Sequence, residues 1–308
     1  MNIQKQILNI YRMINPKSKY AFKDIEFNYE ITQKIISDRL LDDEPCMISR
    51  FGSIELDNIV NYIKTKCHKN NNESTTHFLN ALCTFAGFFP KDDYIGLKKF
   101  CDLYIKDSLD IDILGCWQKN ERYLSDRLNN TKKVLLPNLD PFFSISPWTK
   151  YLKGKKVLVI HPFAETIKRQ YLTKRKYLFK NSDTLPEFDL ITIKAIQSIG
   201  GEPNGFMTWF DALHHMESQM DVIDYDVALI GCGAYGLPLA AHAKRNGKKA
   251  VHLGGSLQLL FGIMGNRWFD PKSGLYNKYS VLLNDFWVRP METERPKNAD
   301  NVEGACYW

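Results

Sequence analysis

The sequence predicts an α/β protein, a mostly parallel, Rossmann-like sheet flanked by helices, with a helical extension at its N-terminus. Three observations carry that reading. Short runs rich in Val, Ile and Leu (CMIS, KVLVIH, LITIK, VALI and AVHL) alternate with longer amphipathic stretches. Such continuous apolar runs are strands buried on both faces, as parallel strands under helices must be. Glycine turns lead from strand directly into helix-forming sequence at FGSIELDNIV and at GCGAYGLPLAAHA. Finally, 44% hydrophobic and 25% charged residues match an ordinary folded protein and exclude disorder, collagen and coiled coil. One Rossmann-like domain over 41–290, with a helical extension over 1–40 and a packed tail over 291–308, accounts for 308 residues better than two independent domains.

The elements follow in chain order. Ile3, Ile7, Ile10, Tyr11 and Ile14 have helical spacing, and Pro16 ends that helix. No compact apolar core or small-residue cleavage site precedes it, so no signal peptide is expected. Cys46–Ser49 is the first strand. Ser53 is the expected N-cap of a helix that buries Leu56, Ile59, Val60 and Ile63. Residues 66–76 read as a polar loop and 77–130 as mostly helical. VLLPNLDPFFSISPW adds a strand and a proline-bounded loop. Strands at KKVLVIHPF, LITIKA, DVALI and AVHLGG then alternate with helices, including TWFDALHHMESQM. The polar tail closes on CYW, which predicts that it packs back on the body.

In open parallel sheets, ligands sit at the carboxyl ends of strands. Four strand ends here carry suitable residues. GCGAYG, from Gly231 through Gly233, Ala234 and Tyr235 to Gly236, matches GxGxxG between a strand and a helix, where backbone N–H groups can approach a diphosphate. A dinucleotide site also needs an acid at the end of the next strand, and Val251, His252 and Leu253 supply none. A nucleotide-binding oxidoreductase is therefore the weaker alternative. Gly254, Gly255 and Ser256 end the following strand and can present N–H groups to an anion. Arg267 and Trp268 add a charge and a stacking face, or else a surface ion pair and a core residue. Arg50 and Glu55 bracket the turn at Gly52 and Ser53. Arginine suits phosphate or carboxylate. Glu55 can bind a metal, hold a sugar hydroxyl or act as general base, or simply complement the dipole of the helix it begins. His161 and Glu165 follow the fourth strand end.

Net charge is +6, from 41 basic and 35 acidic residues. That is too mild for a nucleic-acid protein, but it favours anionic ligands. The charge is uneven, with ten basic side chains and one acid, Glu165, in residues 150–180. Arg169 and Arg175 are the expected ligand contacts there. The same cluster suits the anionic face of a membrane or a solvated surface. Seven cysteines without a CxxC spacing read as reduced cytosolic thiols. GxSxG, Walker A and HExxH patterns are absent from the sequence.

Taken together, RFGSIEL, HPFAETI, ALIGCGAYGLPLAAHAKRNGKKAVHLGG, LQLLFGIMGNRW and VEGACYW resemble the GT-D-fold glycosyltransferases, the group built on the domain once called DUF1792 and its GT-D-like bacterial relatives. The resemblance covers most of residues 45–290. It implies transfer of a sugar from a nucleotide-diphosphate donor, typically a UDP-sugar, to a glycan, lipid-linked or protein-linked acceptor in bacterial surface polysaccharide or glycoconjugate synthesis. The family motif RFGDGE carries a DxE carboxylate pair associated with the donor and a divalent cation, Mn or Mg. Arg50, Phe51, Gly52 and Glu55 match it, and Ser53 stands in place of the first acid. Asp57 is no replacement, since two residues along a helix point to nearly opposite sides. Glu55 is the first choice for a base, with Glu165 or His161 next. Loss of the acid at Ser53 leaves a second alternative, a non-catalytic nucleotide-binding relative.

Overall fold

A computed structural model describes residues 19–67, 72–198, 204–296, 298–301 and 304–308. The expected helix over Ile3–Ile14 lies outside them. Seven parallel strands form one sheet in the order β3-β2-β1-β7-β6-β4-β5. They are β1 (Cys46–Ser49), β2 (Ile113–Cys116), β3 (Lys132–Leu135), β4 (Lys156–His161), β5 (Asp189–Lys194), β6 (Val227–Ile230) and β7 (Lys249–His252). The α/β, Rossmann-like reading holds.

Alternate residues of each strand feed two separate cores. Met47, Leu114, Leu158, Ile160, Ala228, Ile230 and Ala250 face one. Ile48, Ile113, Val157, Val159, Val227, Leu229 and Val251 face the other. Burial on both faces is why the inner strands β1, β2, β6 and β7 and most of β4 are so apolar, while the edge strands β3 and β5 carry exposed lysines. The first core is closed by α2 (Ser53–Cys67), α4 (Tyr94–Asp107), α6 (Trp209–Asp221) and α7 (Gly236–Arg245), after α1 (Tyr29–Leu41) and α3 (Asn72–Ala81) have been passed in the chain. The second is closed by α1, by α5 (Ala164–Leu178) and by the segments that follow β7.

Three local expectations change. The Leu56 N–H bonds the Gly52 carbonyl at 3.0 Å, so Gly52 caps α2 and Ser53 is its first helical residue. The loop over 66–76 is shorter than expected, because α2 runs to Cys67 and α3 starts at Asn72. The stretch 77–130 holds strand β2, whose four residues are all buried and so show no alternation.

Tail residue Glu294 caps α5. Its Oε1 accepts from Glu165 N at 2.8 Å, and its Oε2 accepts from Thr166 N at 3.2 Å. A carboxylate on those orphan N–H groups also meets the positive end of the helix dipole.

Candidate functional site

The carboxyl ends of β1, β2, β4, β6 and β7 open on a cavity of about 460 Å³. Here the chain leaves β4 outward to the edge strand β5, but leaves β6 inward to β7. Such a reversal parts the connections above the sheet and leaves a crevice. Gly231 permits the close approach of two strand ends, since a Cβ there would fall 2.5 Å from the Gly254 carbonyl oxygen.

Gly52, Ser53, Gly231, Gly233, Gly254 and Gly255 line this cavity. Helical turns start at Ser53, Gly233 and Gly254, and α5 starts one residue after Phe163 on the cavity wall. The first N–H groups of a helix have no partner within it, so these starts favour an anion. Ala234 and Tyr235 sit behind the wall. The Ala234 carbonyl accepts from Tyr104 Oη at 2.5 Å, and Tyr235 stacks on Trp209 at 4.9 Å. Gly236 packs against the buried ring of His252, and Ser256 turns its hydroxyl to the Leu253 carbonyl at 3.2 Å.

Arg50 projects from the end of β1 into the cavity, its guanidinium 5.1 Å from the Trp117 ring centroid. Among the described residues it makes no ion pair or hydrogen bond. Burial pushes it below the ordinary arginine range; the Glu55 carboxylate opposes this, and the charge of Arg267 adds to it. Trp117 is held in turn, its Nε1 donating to the Phe51 carbonyl at 3.0 Å and its backbone N to Glu121 Oε1 at 3.1 Å. Burial pushes Glu121 up to about 7.

Glu55 is the single Asp or Glu side chain on the cavity wall among the described residues. It folds back over Gly52, where a Cβ would lie 1.8 Å from its Oε2. Burial raises its pKa above the usual carboxylate range, while its own backbone N–H and Arg50 pull it back. Asp57 faces away and accepts from Asn120 Nδ2 at 3.0 Å. His161 lines the cavity with Nδ1 accepting from Phe163 N at 3.0 Å. That bond leaves the proton on Nε2, and burial lowers the pKa to about 3. His161 is therefore a neutral hydrogen-bond donor at physiological pH. The expected use of His161 as a base does not suit this environment. His252 is also held neutral, its pKa lowered to about 3 by burial and then by Arg50.

Glu165, Arg169 and Arg175 are not brought to the cavity. Glu165 and Arg169 are exposed on the outer side of α5, whose inner side buries Ile167 and Tyr171. Arg175 pairs with Glu187 at 3.0 Å. The basic concentration of 150–180 thus lies along a helix and its flanks rather than at the cleft. Arg267, singled out in the sequence, does line the cavity, and the structure adds Trp117, Tyr307 and Trp308. CYW at the tail was the signal for the last two; Trp117 had none, because it follows the strand hidden in 77–130.

The donor set does not fit a divalent cation. Glu55 stands alone beside Arg50, and Ser53 offers only a hydroxyl. Among the described residues no group of three or more His, Cys, Asp or Glu side chains is arranged to hold a metal. The six described cysteines that are free are all buried. No helix among the described residues is long and apolar enough to cross a membrane. Comparison with protein-family models, with curated proteins and with solved structures finds no match to this chain.

Proposed function

We propose that the cavity binds the diphosphate of a nucleotide-sugar donor, a UDP-sugar in the first instance, and that the chain transfers the sugar to a hydroxyl of a glycan, lipid-linked or protein-linked acceptor. The observation that carries this is Arg50, a desolvated guanidinium with no ion-pair or hydrogen-bond partner among the described residues, on the wall of a cavity where helix starts converge. A buried cation is costly unless an anion meets it. When the sugar leaves, charge grows on the diphosphate. In this reading Arg50, the N–H groups at Gly233, Gly254 and Gly255, and the Nε2–H of His161, all on residues that line the cavity, receive it. No step requires a metal.

UDP is expected to raise the melting temperature equally with and without Mn²⁺ or Mg²⁺. At a hundred times Kd the gain is about 2.7 kcal/mol. A screen of nucleotide sugars that yields no shift would count against the donor class, and a shift only with metal would count against the metal-free reading.

Glu55 is the base that takes the acceptor proton. Its burial sets a testable sign. A base works deprotonated, so kcat/KM should rise with pH through a midpoint above the usual carboxylate range, and Glu55→Gln should lose that limb with a fall of roughly 10²-fold or more. A folded Glu55→Gln variant with wild-type turnover removes Glu55 from this role. The lack of a second carboxylate at Ser53 favours one other reading, nucleotide binding without transfer. Release of UDP from a UDP-sugar in the presence of acceptor separates the two.

A further inference from the structure

The ten basic residues of 150–180 have no part in the cavity, and half of them lie on α5. The outer side of that helix also carries a leucine. Leu172 is 68% exposed midway along it. Residues three and four positions apart share a helix surface, and all four such neighbours here are basic: Lys168, Arg169, Arg175 and Lys176. Arg175 is engaged by Glu187 at 3.0 Å, while Lys168, Arg169 and Lys176 form no ion pair among the described residues. The pattern continues past the end of the helix. Tyr177 is 58% exposed, with its ring stacked on Phe286 at 4.8 Å. Ile145, 88% exposed, sits on a loop held there by Asn181, whose Nδ2 donates to the Ser144 and Ile145 carbonyls at 3.2 Å each. Lys180 precedes that asparagine, and Lys150 Nζ donates to Ser146 Oγ at 2.6 Å, so cations flank Ile145 as well. Against them stand Glu165 on α5 and Asp183 and Asp285 on the flanking loops.

A face that serves only to be solvated gains nothing from a leucine ringed by cations, and nucleic acid would use the cations but not Leu172 or Ile145. An anionic bilayer uses both. Lys and Arg stems reach up to the head groups while the apolar side chains between them enter the acyl boundary. We propose that the outer side of α5, extended by Ile145, docks on a bilayer rich in anionic phospholipid, with Lys168, Arg169 and Lys176 meeting the head groups and Leu172 entering the interface. Pro162 and Phe163, which lead into α5, line the cavity, so docking would hold the cavity near the head-group layer. The proposal goes beyond nucleotide-sugar binding and does not depend on it; where both hold, the lipid-linked acceptor is the one favoured.

The test is co-sedimentation of the full chain, without nucleotide, with vesicles of phosphatidylcholine alone or mixed equally with phosphatidylglycerol. Binding to the mixed vesicles is expected at physiological salt, with little to the neutral ones. Lys168→Gln with Arg169→Gln should weaken it roughly 30-fold, since each cation near an anionic surface counts for about a factor of five. Leu172→Gln leaves every charge in place and should still weaken it by roughly tenfold, whereas Leu172→Phe should keep it. All of these positions are exposed, so the variants should melt as wild type does. Absence of a preference for the anionic vesicles overturns the proposal, as does wild-type binding by either the Lys168→Gln, Arg169→Gln pair or Leu172→Gln. Two other results overturn it by naming a different occupant. Binding of single-stranded RNA that ignores Leu172→Gln, without vesicle binding, would assign the face to nucleic acid. A dimer in ultracentrifugation that Leu172→Gln dissociates, again without vesicle binding, would assign it to a second copy of the chain. The glycosyltransferase reading fails separately, through release of UDP from a UDP-sugar, which needs no vesicle.

Discussion

Arg50→Met is expected to weaken UDP binding by roughly 30-fold or more while leaving the unliganded protein at least as stable as wild type. Breaking a buried charge contact typically costs a ligand about 2 kcal/mol or more. Stability should move the other way for a physical reason. The guanidinium is desolvated, has no hydrogen-bond or ion-pair partner among the described residues, and feels the like charge of Arg267. Methionine has a similar reach, keeps an apolar contact with Trp117 and brings no charge to desolvate. Calorimetry with UDP and urea unfolding of the free protein measure the two effects. A variant that binds UDP as wild type does would remove Arg50 from the donor site. One that binds weakly but is also much less stable would show that the arginine serves the fold. Retention of a costly group at a site, with stability gained on its removal, is the usual mark of function.

Trp209→Ala should give the largest loss of stability, about 3–5 kcal/mol. Trp209 opens α6 and is fully buried. It stacks on Tyr235 at 4.9 Å and meets Phe100 edge-on at 5.1 Å. Tyr235 belongs to the glycine turn behind the cavity, so the void left by this change undermines the cavity wall as well as the core. Trp209→Phe should cost far less, because the indole Nε1 is buried with no partner among the described residues and its removal orphans none of them. Urea midpoints compare the pair; a Trp209→Ala loss below about 1 kcal/mol would mean that the neighbouring rings close the gap.

Much of the fold was legible in the residues themselves. The runs that became β1, β4, β6 and β7 are largely apolar, and β1, β6 and β7 lead into glycine turns; both signals are local. β2 was not legible. ILGC is four residues long, buried on both faces, and set between helical stretches, so no periodicity marks it. At the site, Arg50, Glu55 and the glycines at 231, 233, 254 and 255 come together because each lies directly at a strand end. Glu165 and Arg169 are also near a strand end in sequence, yet they miss the cavity. Positions 165 and 169 share the outer side of α5, while 167 and 171 face the core. Helix phase, rather than distance along the chain, decided their direction.

The α/β class, the parallel sheet and the glycine turns at the strand ends were set by the sequence alone, since strand burial and backbone turns depend on neighbouring residues. Only the tertiary structure could place Trp117 under Arg50, and Tyr307 over Gly255 and Arg267. Those contacts join residues about 40 to 70 positions apart in the chain. They follow from which surfaces pack, which no local pattern encodes. The structure also relocated the charge excess. The ten basic residues of 150–180 lie off the cavity, while Arg50 and Arg267 line it.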